Sequence, residues 1–356
     1  MSTVTLAPQT SIVKKIPMPW KPMIRITWIQ HRFMVLGTLG LFGGLAIYML
    51  VTYPAIHSLH ALWVTNGCPT RGANLTTCMG VQSRLLGSEI NLTAVDIVLH
   101  VIPVVVGMFL GAPLIAREFE SGTYRFTWTQ GMPRALWFAL KFILLAVVVV
   151  VAACLVGLFA TSYSVPYNAV GLMSRWQAGE FDVTGLTLGA WTLFALALGV
   201  FFGSLTKRIV SAMAVAFAAA GAVIIAAYWK LDFQLLALGA KVMKTVPSGS
   251  GYGPLNQFAQ PGISKAPLGS CLVKGWYTNS KGQVLSTHAE KLLTRTQSFE
   301  DGKTQGAWLT QHHYSYWVSY QPGNRFWMFE GVESVILLAL ALVLVWGTSL
   351  LIRRRA

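Results

Sequence analysis

The sequence predicts an all-α membrane protein of six transmembrane helices, and three observations predict it. Apolar residues make up 54% of the 356-residue chain and charged residues only 11%, where a globular domain carries about a quarter charged. Six stretches have the roughly 20 apolar residues needed to cross a hydrocarbon core of about 30 Å. The basic residues gather at alternate connections, as lysine and arginine do on the inner side of a membrane.

The six expected spans are Phe33 to Tyr53, Ala94 to Ala116, Phe142 to Tyr163, Gly185 to Leu205, Ile209 to Trp229 and Gly331 to Ile352. The first is not read as a cleavable signal peptide, because it begins after 32 residues, exceeds the length of an h-region and precedes no small-residue cleavage site. Residues 1–20 are polar and proline-containing and are read as a disordered tail. Within the N-terminal segment 1–32, Met23 to Arg32 (MIRITWIQHR) suits a short interfacial helix or an ordinary basic flank equally well.

Residues 33–229 hold five of the spans, with a charged connection at 117–141. Glycines recur at close-approach spacing as Gly40 with Gly44, Gly107 with Gly111, and Gly199 with Gly203. Asp96, near one end of the second span, is the interior charge that this reading singles out, as a transport-path carboxylate or a solvated one. Spans four and five are separated by Thr206, Lys207 and Arg208 alone, which requires an antiparallel hairpin.

Between 230 and 328 the chain turns soluble in character. Gly/Pro/Ser turns, a hairpin candidate around GWYTNSKGQVLS and the aromatic run HHYSYWVSYQPGNRFW predict a cap of mixed or irregular structure, with 290–308 its most polar and mobile part. Residues 329–356 return as the sixth span and a basic tail.

Charge sets the expected orientation. Fourteen basic residues flank the spans on the side of both termini: Lys14, Lys15, Lys21, Arg25, Arg32, Arg117, Arg125, Arg134, Lys141, Lys207, Arg208, Arg353, Arg354 and Arg355. The short connections opposite hold Arg71, Arg84 and Arg175. Both termini are therefore expected in the cytoplasm and the 230–328 cap outside, in the plasma membrane. The net charge of +15 is divided between membrane flanks and the cap, which argues against nucleic-acid binding.

Cys68 and Cys78 lie in a turn-rich outer loop, where they form a short disulfide or stay as two thiols; Cys154 and Cys271 stand apart, and no spacing suits zinc. His57 with His60, and His312 with His313, lack companion ligands and read as interfacial or surface residues. Asn74-Leu-Thr76 and Asn91-Leu-Thr93 match the glycosylation acceptor pattern. GxxxxGK[ST], GxGxxG, HExxH and GxSxG are all absent from the sequence, which gives no constellation for nucleotide hydrolysis or acyl transfer. The charged connection, with Glu118, Glu120, Arg117, Arg125, Trp128 and Trp137, is suited to docking a soluble partner or to sitting as a solvated inner loop.

AREFESGTYRFTWTQGMPRALWFALKF, following GAPL, resembles the cytoplasmic segment of ABC-2-type ABC transporter permeases, particularly their actinobacterial branch. WIQHR, LGVFFGSLTKRIVSAM and VSYQPGNRFWMFEGVES are similar to the same branch, from which Pro133 and the isoleucine of WIQHR depart. The resemblance implies an exporter subunit that dimerises and is powered by two copies of a separate ATPase, which would hold the ATP and magnesium, this chain having no cofactor of its own. It places Arg117, Glu118, Glu120, Gly122, Thr123, Arg125, Trp128, Arg134 and Lys141 in the coupling region that docks the ATPase, with Glu118 and Glu120 at or beyond the membrane surface. It also implies a dimer seam on the first and fifth spans, at Gly37, Gly40 and Gly44 and at Ala212, Ala216 and Ala220, where small residues share one helical face; the competing reading is that these faces pack within one subunit, for instance against Gly107 and Gly111. A hydrophobic or amphipathic cargo suits spans so poor in charge. A receptor or sensor acting through the cap is the rival reading, and an intramembrane enzyme is disfavoured.

A cysteine introduced at Lys281 is expected to react with a membrane-impermeant reagent in intact cells; protection there would place the cap inside.

Overall fold

The computed structural model describes residues 20–68, 75–122, 133–170, 175–176, 178–227, 239–245, 271–286 and 313–354. Six of its helices are long and apolar enough to cross a membrane.

The first, α1 (Trp20–Thr65), is a single helix of 46 residues, so Met23 to Arg32 is not a separate interfacial element. Pro22 falls in the opening turn, where backbone N–H groups need no intrahelical partner, and nothing breaks the chain before the span. The far end of α1 is tied to α2 (Leu75–Gly87) by a Cys68–Cys78 disulfide with Cα atoms 5.8 Å apart.

The second span is α3 (Glu89–Val106), a π-helical turn at Gly107–Gly111, and α4 (Ala112–Ser121). Pro103 lies one turn before the π segment, and such interruptions arise where a proline or glycine disturbs the hydrogen-bond ladder. The third, α5 (Arg134–Ala169), begins directly after Pro133, whose carbonyl accepts from the amides of Leu136 and Trp137 at 3.0 and 3.1 Å. The departure from the family pattern at Pro133 thus falls where proline suits a helix start.

A short helix α6 (Ala178–Phe181) leads to α7 (Thr187–Thr206), the centre of the bundle. Leu188, Leu196, Ala197 and Val200 are fully buried on it, and it packs against α3, α4, α5, α8 and α9. The close-approach glycines explain how. A Cβ on Gly199 would collide with the Gly107 carbonyl and lie 2.9 Å from the Ala112 nitrogen, while Gly111 faces the Leu196 carbonyl and the Gly199 Cα. Backbone therefore meets backbone where α7 crosses the second span.

α7 ends at Lys207, whose φ of 58° allows the tight turn into α8 (Ile209–Ala226). Ala212 and Ala216 of α8 pack on Ala112 and Ala116 of α4, and Ala220 joins the main core. This corrects the expected seam. The alanine face of the fifth span is covered within the subunit, because α4 offers small residues at matching spacing. Gly37, Gly40 and Gly44 on α1 are exposed and would meet nothing within 4 Å if given a Cβ.

Beyond α8, the described cap is a three-stranded antiparallel sheet of β1 (Lys241–Thr245), β2 (Cys271–Thr278) and β3 (Ser315–Gln321), in the order β1-β3-β2. Lys244, Trp317 and Trp276 form one cross-strand row. The expected hairpin is present: after β2 the chain turns through Gly282, at φ 76°, and returns to pair Thr278 with Val284. β3 runs through a 3-10 turn (Gly323–Arg325) into α9 (Phe326–Arg354), the sixth span.

Gly199→Ala is expected to lower the stability of the purified chain by about 1–3 kcal/mol, since the added methyl meets backbone that cannot rotate away. Gly40→Ala should leave it unchanged or slightly higher. Equal melting temperatures in detergent would contradict the crossing.

Candidate functional site

The topology brings the start of α1, the end of α4, the start of α5, the α7–α8 turn and the end of α9 to one end of the bundle. Basic residues dominate there. α4 stops at Gly122, whose φ of 71° is the left-handed conformation typical after a helix. Thr123, Arg125 and Trp128 lie outside the described residues.

Glu118 is 8% exposed and Lys141 2%, and the two form an ion pair between α4 and α5. The Lys141 ammonium also donates to Gln30 Oε1 at 3.2 Å and lies 4.8 Å from the Trp137 ring centroid. His31 of α1 is buried beside this group. The expectation that Glu118 and Lys141 dock a partner at the surface is thereby corrected. The continuation of α1 below the span covers them, and each saturates the other's charge.

Glu120 is exposed, and its Oε2 accepts from the Ile209 amide at 2.9 Å. A carboxylate at this position satisfies a donor that an α-helix leaves free and complements the positive end of α8. Arg117 is exposed and Arg134 half-buried at the start of α5.

The opposite end holds carboxylates that the sequence reading passed over. Glu330 Oε1 accepts from the Leu186 amide at 2.6 Å, at the entry to α7. It fits there because Gly185, at φ 60°, has no side chain; a Cβ would overlap the Glu330 carboxylate. Glu333 accepts from the Trp191 indole at 2.9 Å. Glu180 accepts from Asn168 at 3.1 Å, and Asp182 is buried two residues on. Arg175 donates to the Gly323 carbonyl at 2.8 Å and lies over Phe326, within a cluster of Trp176, Phe181, Phe326 and Phe329. The connection between α5 and α7 is thus attached to the start of α9.

A signal for Glu330 and Glu333 did exist. They fall three residues apart and continue, through Leu337 and Ala341, the stripe of α9 that is buried. Asp96, singled out instead, is partly exposed and faces His100 at 3.8 Å. His57 stacks on Tyr53 and is bonded to the Ser162 carbonyl at 3.1 Å. Among the described residues no three His, Cys, Asp or Glu side chains gather as a metal site.

Six spans, charge confined to the two ends and a core of closely packed small residues define a multi-pass membrane protein built as a helical bundle. The family model described as ABC-2 membrane transporter related matches residues 39–231, more than half of the chain, and the chain belongs to that family. It is a permease-type membrane subunit of the plasma membrane, and its family works with an ABC ATPase. No curated protein and no solved structure matches it.

Burial pushes the Glu180 carboxyl up to about 7 from its ordinary 4.5, with Asp96 adding to the rise and Ser164, Asn168 and Arg175 opposing it. Between those pH values the unfolded chain has released a proton that the folded chain still holds, so stability falls as pH rises. Wild type is therefore expected to melt lower at about pH 8 than at about pH 5, and Glu180→Gln, which cannot ionise, to shrink that difference and melt above wild type at the higher pH. Identical pH slopes would show that Glu180 is not held neutral by burial.

Proposed function

We propose that the chain is the transmembrane half of an exporter, dimerising and driven by two copies of a separate ATPase subunit, with its basic end in the cytoplasm and its cap outside. The observation that supports this most directly is the exit of α4. The helix ends at Gly122 on the basic end, hands the chain to residues 123–132, and takes it back at Pro133 and α5. A soluble partner pressing on that connection acts on two spans at once.

The docking surface proposed is the connection itself with the exposed Arg117. Glu118 and Lys141 are internal. For the second copy, the exposed Gly37, Gly40 and Gly44 on α1 allow close backbone approach. The cargo is hydrophobic or amphipathic. An uncompensated charge at the bilayer centre costs at least about 2.5–3.5 kcal/mol, and the buried carboxylates described here sit near the two ends of the bundle, Glu118 at the basic end and Glu180, Glu330 and Glu333 at the other, each with a partner.

Native mass spectrometry of the affinity-purified chain tests the reading. The expected species holds two copies of this chain and two of an ATPase with a phosphate-binding loop. Arg117→Glu should weaken that association severalfold, as for an exposed ion pair of about 0.2–1 kcal/mol. A chain purified without any ATPase would favour a receptor role, and a single permease copy would remove the dimer.

A further inference from the structure

We infer that the last turn of α4 is an internal strut, in which Glu118, Lys141 and Glu120 are positioning residues that pass a displacement of the chain beyond Gly122 to α5 and α8 together. The inference deepens the permease reading and rests on it for its functional meaning. Its physical content stands in the isolated chain.

Three restraints converge on one helical turn. Laterally, the buried Glu118–Lys141 pair joins α4 to α5, and the Gln30 contact extends the bond to α1. Axially, Glu120 holds the Ile209 amide, the first residue of α8. Along its length, α4 lies with Ala112 and Ala116 against Ala212 and Ala216, and the Ala112 carbonyl closes on Gly203 of α7. Gly122 then marks the boundary, with a left-handed backbone and open space where a Cβ would be.

A helix end held on one side only would fray under load and absorb it. This end is held by two spans and the start of a third, so a push on residue 122 must carry the starts of α5 and α8 with it or break a bond. The lateral bond is charge-assisted and directional, which resists sliding in a way that apolar contact does not. Two discrete arrangements of such packed elements, biased from one end, are the physical basis of coupling over distance.

The ion pair is also separable from folding. Removing one partner leaves a bare buried charge, whereas replacing both with neutral groups of similar volume often leaves stability unchanged or raised. The informative variant is therefore the double substitution Glu118→Gln/Lys141→Met, with Lys141→Arg as the conservative control.

Two measurements on the full chain in lipid nanodiscs decide the matter. By hydrogen exchange, the double variant is expected to melt as wild type does yet exchange the Ile209 and Val210 amides at least tenfold faster, although the bonds it removes run from α4 to α5 and from α5 to α1; Lys141→Arg should keep them protected. In the complex, the ATPase subunit that co-purifies with wild type should be captured equally by the double variant, while its ATP hydrolysis responds to the permease at least fivefold less. Unchanged amide exchange overturns the strut even if no ATPase is captured, an outcome that separately removes the proposed function. Capture lost in parallel with activity would also overturn it, making Glu118 and Lys141 part of the docking contact.

Discussion

α7 meets the second span through bare backbone. Gly107 and Gly111 on one side and Gly199 and Gly203 on the other bring backbone against backbone, with the Ala195 methyl beside Gly107. Lipid tails are as apolar as leucine, so helices in a bilayer gain little from hiding apolar surface against each other; close van der Waals contact and weak Cα–H bonds supply the attraction instead. That crossing fixes α7 at the centre, and the other spans are arranged by what it leaves exposed. α8 folds back from α7 through a two-residue turn, Lys207 and Arg208, and lays its alanines on α4, while α9 and α5 take the remaining sides of α7.

Charge is then pushed to the two ends, but it is used differently at each. At the basic end one carboxylate is spent on a lysine and another on a helix start, and arginines remain outside. At the other end, acidic groups satisfy backbone and indole donors: Glu330 at the entry to α7, Glu333 on Trp191. A carboxylate buried with neutral donors holds irregular backbone in place, which a membrane tolerates only where protein encloses it. The connection between α5 and α7 is that kind of backbone, with Gly185 bonded to Gly157 at 3.1 Å.

The spans were legible because twenty apolar residues in a row have few other physical uses. The glycine pairs at 107/111 and 199/203 and the hairpin at 206–208 were legible for the same reason: their spacing is local. What the sequence could not show is which surfaces meet. Ala212, Ala216 and Ala220 form a face suited to any close neighbour, and choosing between α4 and a second copy requires the crossing angles. Glu118 reads as a surface residue until α1 is seen to continue past the span and cover it. Glu330 and Glu333 stand near the start of a span, where a charge draws no notice, although their spacing matches its buried stripe.

α1 carries a different kind of constraint. Its 46 residues, at a rise of about 1.5 Å each, make a rod of about 69 Å, more than twice the hydrocarbon thickness. Near one end, His31 faces the buried lysine; just beyond the other, Cys68 is bonded to α2. The two ends therefore share one rotational phase. Inserting a single residue at mid-rod turns one end by about 100° relative to the other, whereas seven residues restore the phase to within about 20°. Length variation in this helix is thus quantised: homologous chains can differ here by near-heptads, or must give up one of the two anchor points.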